Sequence, residues 1–222
     1  QEPIVGAGRV RREVRRCQRA SEEQGRSARS YTLMFGESVR LQREMIYRMR
    51  NQILEHPVTD PRYYLAVERS LILDFLEEGQ DAKSVIRYVL DNINYNPEFL
   101  PDETQLRTEL DVIKYLMRET NLELKRKLAL LDTNARRERF FQLMTLKAID
   151  EAWMEQVDYL QQLRKTMAGR KYTLRNVAYE YHLESYEASR QMQKKIRVGM
   201  MRNILLGEIV FNKDDGMQVV LP

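Results

Sequence analysis

Residues 150–186, DEAWMEQVDYLQQLRKTMAGRKYTLRNVAYEYHLESY, constrain the fold more than any other stretch. Apolar residues recur in threes and fours, the spacing that gathers one face of an α-helix. Leu146, Ile149, Trp153, Val157, Leu160, Leu163 and Met167 form almost a heptad seam, and Gly169 sits where a capping glycine would end that helix. Beyond it Val177, Tyr181, Ala188, Met192, Ile196 and Met200 make a second seam, with the small Ser185 and Ala188 permitting close approach. Facing seams joined by a short turn predict an antiparallel helical hairpin that projects beyond a compact core. The turn carries Arg164, Lys165, Arg170, Lys171 and Arg175 without an acid, and Tyr172 at its apex. Such a tip cannot serve as core. It is either a solvated basic turn at a helix end or a probe for an acidic or polar partner, with Tyr172 as an amphipathic contact.

Residues 10–55 carry a second long helical pattern. Val10, Val14 and Cys17 open a stripe that Tyr31, Phe35, Val39, Ile46, Met49 and Ile53 continue. Gly25 and Gly36 interrupt it at about 1 kcal/mol each, so a kink or a frayed segment near Gly25 is compatible with the pattern. His56-Pro57 ends the run, because proline disfavours helical geometry in the residue before it. Unbroken, about 45 residues at 1.5 Å each make a rod of about 65 Å, the length of a spine for other parts.

Between these arms Pro57, Pro61, Pro97 and Pro101 bracket four short helical patterns, over residues 63–77, 82–92, 104–118 and 121–131. Leu65, Leu71, Leu73 and Leu76 are the burial candidates of the first. Leu106, Leu110, Ile113 and Leu116 or Met117 are those of the third. They predict a small inserted helical domain. The next helix is expected to start at Asn134 as N-cap. After Gly207, residues 209–211 and 219–221 are candidate strands about an Asp215-Gly216 turn, a weak hairpin or a disordered tail. The expected class is all-α: a long helix packed with an antiparallel two-helix hairpin, plus a small inserted helical domain. The expected boundaries are 1–55, 56–134, 135–206 and 207–222.

Nine Gly and six Pro in 222 residues favour long helices over turn-rich β structure. No run approaches the roughly 18 apolar residues of a membrane span. The first residue is Gln and no basic-then-apolar leader follows, which points to an excised fragment. Cys17 is the lone cysteine, so an intramolecular disulfide and a Cys-based zinc site are excluded. The net charge of +4 hides a segregation. Residues 1–55 carry twelve Arg, no Lys and seven acids; residues 56–135 carry ten basic and fifteen acidic residues. Different neighbours are expected for each part.

Chemistry is sparse. There is no phosphate loop, no GxGxxG and no HExxH. His56 and His182 lack ligand spacing and read as surface or capping residues. Glu22-Glu23 and Glu77-Glu78 are sequence neighbours and do not share a helix face. The Arg-rich stretch 9–19 could grip phosphates, though no aromatic interleaving supports that. From the residues alone, a basic helical nucleic-acid binder and a coiled-coil adaptor stay open.

A family pattern narrows the choice. Asp150, Trp153, Glu155, Leu163-Arg164, Arg170, Tyr172, Glu180-Tyr181 and Glu184 follow the order D-x-x-W-x-E, L-R, R-x-Y, E-Y-x-x-E. That order resembles the two-helix finger of SecA, the bacterial preprotein translocase motor. Gln18-Arg19, Gln42-Arg43, Ile46-Tyr47 and Arg50 resemble the long helix of the SecA helical scaffold, and the acidic insert sits where the helical wing belongs. Departures are Gly36-Glu37 for the family's Asp-Asp, Gln156 for its histidine, Leu160-Gln161 for Met-Asp and Asn176-Val177 for Asp-Pro. They point to the accessory SecA of Gram-positive bacteria; the absence of a Cys-rich zinc tail fits that form and a trimmed chain equally.

The resemblance implies the rest. Tyr172, with Arg170, Lys171 and Arg175, would contact the SecY-type channel and the translocating preprotein. Ile149, Trp153, Leu160, Leu163 and Tyr181 would hold finger to scaffold. Gln42, Arg43, Ile46, Tyr47 and Arg50 would form the scaffold-helix surface. The motor's own ATPase domains would pack on that helix, with ATP and magnesium held there and no cofactor in these residues. The finger would also restrain ATP turnover. The whole would work at the cytoplasmic face of the bacterial plasma membrane, with an anionic membrane surface nearby and no nucleic acid.

Overall fold

The computed structural model describes residues 7–77, 81–102, 104–169, 177–212 and 217–222. Among the described residues, these elements follow in order: α1 (Ala7–Glu55), α2 (Pro61–Leu76), α3 (Ala82–Asn92), α4 (Glu109–Leu130), α5 (Asn134–Gly169), α6 (Val177–Leu206), β1 (Glu208–Phe211) and β2 (Met217–Val220). The class is all-α, as expected.

Helix α1 runs unbroken through Gly25 and Gly36. Helical geometry persists there, since two glycines penalise a 49-residue helix by only about 2 kcal/mol. Arg40 also ties its surface together, pairing with Glu37 at 2.7 Å and with Glu44 one turn on. The apolar stripe is used only from Phe35 onward; Val10, Val14 and Cys17 stand exposed. The Tyr31 side chain lies outside the described set.

Local capping chemistry explains the shorter elements. Asp60 accepts from the Arg62 amide at 2.9 Å, with Pro61 at the first helical position of α2. Asp81 caps α3 through the Ser84 amide at 2.8 Å. Thr108 and Asp111 form a reciprocal capping box at the start of α4. That box displaces the expected start at residue 104, and α4 then continues across residues 119–121 where two helices were expected. The polar residues there are accommodated. Thr120 donates to the Leu116 carbonyl at 2.9 Å, and the nearly buried Glu119 takes Arg118 at 2.8 Å. Helix α5 starts one residue early, because Thr133 rather than Asn134 caps it, accepting from the Arg136 amide at 3.2 Å.

The core has three parts. The largest joins α2, α3 and α4 to the base of α5 and α6, where Tyr64 stacks on Phe141 with ring centroids 4.4 Å apart. The inserted helices therefore share their core with the hairpin base. Leu71 is buried as expected, while Leu65 and Leu76 are half-buried and Leu73 and Leu110 face solvent. Tyr64, Ile72 and Val112 take the interior positions instead. Helices α5 and α6 approach closely at Ala148 and Gly199, where a Cβ on Gly199 would meet the Ala148 Cβ at 3.4 Å. Gly207 ends α6; a Cβ there would strike the Asn203 carbonyl, so glycine is required. Its own carbonyl accepts from the nearly buried Lys127 at 2.6 Å. Strands β1 and β2 pair antiparallel, Ile209 opposite Val219; the expected Asp215-Gly216 turn lies outside the described residues.

Candidate functional site

The hairpin forms, but it is not bare. Helix α1 lies along it, antiparallel to α5 and parallel to α6, and contacts it at successive levels. Farthest from the base, Phe35 meets Leu160, Leu163, Met167, Val177 and Tyr181. The Phe35 and Tyr181 rings stand edge to face at 4.5 Å, and the Tyr181 hydroxyl donates to the Phe35 carbonyl at 3.4 Å. Burial raises the Tyr181 pKa, so this hydroxyl remains a donor.

One turn along, Ser38 and His182 Nδ1 lie 3.1 Å apart. Next comes a buried polar layer. Gln156 Nε2 donates to Gln42 Oε1 at 2.8 Å, and Gln42 Nε2 donates to Ser185 Oγ at 2.9 Å and to the Ser185 carbonyl at 3.0 Å. A second apolar layer follows, with Ile46, Ile149, Ala152, Met192 and Ile196 buried together. At the base Arg50 Nε donates to Asp150 at 3.1 Å. There Gln142 Nε2 also donates to the carbonyls of Ile53 and Leu54 at 3.3 and 3.2 Å, covering two orphan acceptors at the end of α1.

Of the expected site residues, Ile149, Leu160, Leu163 and Tyr181 are buried against α1 or its immediate neighbours. Gln42, Ile46 and Arg50 face the hairpin; Arg43 and Tyr47 point to solvent. Trp153 is only half-buried at the edge of the second apolar layer, while Ala152 and Gln156 occupy the interior of the seam. Trp153→Ala is therefore expected to cost about 1–3 kcal/mol, below the range for fully buried aromatics; urea melts read this. Arg170, Lys171, Tyr172 and Arg175 lie outside the described residues.

The sequence reading missed Ser38 and Gln142, and it took Gln156 only as a departure from the family pattern. The available signal was spacing: Gln42 lies on the same helical face as Phe35, Val39 and Ile46, an odd place for an unpartnered amide.

Charge is uneven along this assembly. The Arg-rich part of α1 is solvent-exposed, with all residues 8–24 uncovered. Residues 7–34 precede the Phe35 contact, a helical arm of roughly 40 Å. Near the base a cleft of about 1230 Å³ opens between the end of α1, α2 and α6. Met49, Ile53 and Met200 line it, with Asp74 and Lys194 paired at 3.6 Å beside it. Among the described residues, no group of three or more His, Cys, Asp or Glu is placed to hold a metal ion. No described helix is long and apolar enough to cross a membrane.

Comparison with known proteins agrees with this architecture. Residues 4–208 match the family model described as the SecA wing and scaffold domain. The chain is 36% identical over 221 residues to protein translocase subunit SecA 2 of Streptococcus agalactiae, covering 97% of this chain and 27% of the relative. It is 29% identical to the SecA 2 subunit of Streptococcus sanguinis and 31% identical to that of Staphylococcus haemolyticus, each over 96% of this chain and 27% of the relative. The chain thus spans about a quarter of the length of the curated relatives it matches. The expected resemblance to the accessory form agrees with relatives that are SecA 2 subunits. The long helix, the inserted helices and the hairpin all fall within the matched span, and the chain belongs to the SecA wing and scaffold family.

Proposed function

We propose that this chain is the mechanical coupling part of an accessory SecA-type motor that exports preproteins through a SecY-type channel. In this reading α1 is the scaffold helix, α2 to α4 are the wing, and α5 and α6 are the finger. One observation carries it: α1 is bound to the hairpin at every level from Phe35 to Leu54, by two apolar layers, a polar layer, an ion pair and a carbonyl cap. A load applied to the exposed arm of α1 is thereby shared with the hairpin, because close-packed layers resist relative sliding. The arm itself, basic and with Val10 and Val14 uncovered, suits docking onto the ATPase domains that would hold ATP and magnesium.

The tip would act at the channel. Tyr172 offers an amphipathic ring to a moving polypeptide of any sequence. Arg170, Lys171 and Arg175 would hold the tip in a polar vestibule, since charge is costly in lipid. Chemistry would then reside in the ATPase domains, and these residues would restrain and transmit it. In the intact motor, Tyr172→Ala is expected to lower preprotein transport at least several-fold while ATP affinity stays within about two-fold. Transport assays on vesicles carrying the channel test this; export at the unmodified rate would remove the assignment.

A further inference from the structure

The contact between α1 and the hairpin is layered by chemistry. Phe35, Leu160, Leu163, Met167, Val177 and Tyr181 make one apolar layer; Ile46, Ile149, Ala152, Met192 and Ile196 make another. Between them lie Gln42, Gln156 and Ser185, at 8%, 6% and 1% exposure. Their groups are matched in a chain from Gln156 through Gln42 to both oxygens of Ser185, at 2.8–3.0 Å.

We propose that Gln42, Gln156 and Ser185 are positioning residues that set the axial register of α1 on the hairpin, and through it the height of the hairpin tip relative to the exposed arm of α1. The reason is asymmetry between the layers. Close-packed apolar layers resist sliding, but apolar side chains accept apolar neighbours at more than one offset, so these layers do not by themselves choose between registers one helical turn apart. The amides do. A slip in one direction carries Gln42 toward Ile149, Ala152 and Met192; a slip in the other carries it toward Leu160 and Tyr181. Ser189 on one side or His182 on the other could take one displaced amide group, but with Gln42 and Gln156 separated the second amide stays buried without a partner, which is far costlier than losing a matched bond to water. A single buried polar layer fixing register between helices is the best-attested use of such groups.

The role of the tip height rests on the coupling function proposed above; the register itself does not. The test therefore measures geometry on this chain. With the exposed Cys17 changed to serine, nitroxides are placed at Arg43→Cys and Glu138→Cys, solvent-facing positions on α1 and α5 that lie roughly 20 Å apart along the helix axis, so that their distance reads axial slip. Electron–electron distance measurement should give one population. In Gln42→Leu/Gln156→Leu/Ser185→Ala a second population, displaced by about 5 Å or one helical turn, should appear. Ile149→Ala, which loosens the adjacent apolar layer, should lower Tm and keep the single distance. An unchanged single distance in the triple variant would overturn the proposal, as would an equal split in Ile149→Ala. Should the triple variant not fold, Gln42→Met alone decides: it removes the amide that joins Gln156 to Ser185 at nearly constant volume, and a broadened or split distribution supports the register role while an unchanged one overturns it. Failure of Tyr172→Ala to affect transport would leave this distance result standing.

Discussion

Tyr181→Ala is expected to lower stability by about 3–5 kcal/mol, the range for truncating a fully buried aromatic. Tyr181 is 0% exposed and is the centre of the apolar layer farthest from the hairpin base. Its ring meets Phe35 of α1 edge to face, while Leu160, Leu163 and Met167 of α5 and Val177 of α6 surround it. Removing the ring leaves a cavity shared by three helices, and helices tied elsewhere by Ile46, Arg50 and Gln142 cannot easily collapse into it. Tyr181→Phe separates ring from hydroxyl. The hydroxyl bond to the Phe35 carbonyl is long at 3.4 Å, so its loss should cost less than about 1 kcal/mol. Urea unfolding of both variants reads the difference. Equal losses would mean that the hydroxyl rather than the packing joins α1 to the hairpin. Hydrogen exchange should also show the loss to be local, with α1 amides near Phe35 exchanging faster before those near Ile46.

The second large effect is a dependence on pH. Glu68 of α2 is 1% exposed, and its carboxyl pKa is pushed up to about 7 from an ordinary value of 4.5. Burial is the cause, because it penalises the charged form. The Tyr88 hydroxyl of α3, donating at 3.0 Å, opposes that shift without cancelling it. Asp74 of α2 and Lys194 and Arg202 of α6 line the same small cavity. A folded-state pKa above the unfolded one means that the folded chain binds more protons. Stability is therefore highest below about pH 4.5 as far as this group is concerned, and falls as pH rises through about 7. The full loss is about 3 kcal/mol, or roughly 6–12 °C in Tm for a chain of this size. Glu68→Gln keeps the shape and an acceptor for Tyr88 but cannot ionise. Its Tm should change by that much less between pH 5 and pH 8, and should exceed the parent's at pH 8. Matching slopes in the two proteins would place the titration elsewhere.

These effects come from different levels of information. The helical segments and their faces were legible because burial periodicity is written residue by residue. α3 spans residues 82–92 as read, and Phe35, Ile46, Ile149, Leu160 and Tyr181 all lie inward as their spacing required. Capping was partly legible. The Thr108–Asp111 box has a plain signature, yet the bracketing prolines drew the start of α4 to residue 104. The polar run at 119–121 looked like a break because its partners, Arg118 and the Leu116 carbonyl, become available only within the helix they belong to.

The amino-acid order alone determined that the chain is all-α, that residues 135–206 close into an antiparallel pair, and which side chains that pair turns inward. Hydrophobic spacing is local, and a local pattern suffices to select an amphipathic helix. Only the tertiary structure decided which apolar residues would be left uncovered. Val10 and Val14 continue the stripe of Phe35 in sequence, but no described element reaches them. Tertiary packing likewise decided that Leu73 and Leu110 lose their places to Ile72 and Val112, and that Gln42, Gln156 and Ser185 meet. A hydrogen bond between residues more than a hundred positions apart needs both helices placed and their rotation set. That placement comes from the sum of all contacts along α1, α5 and α6, which no single segment contains.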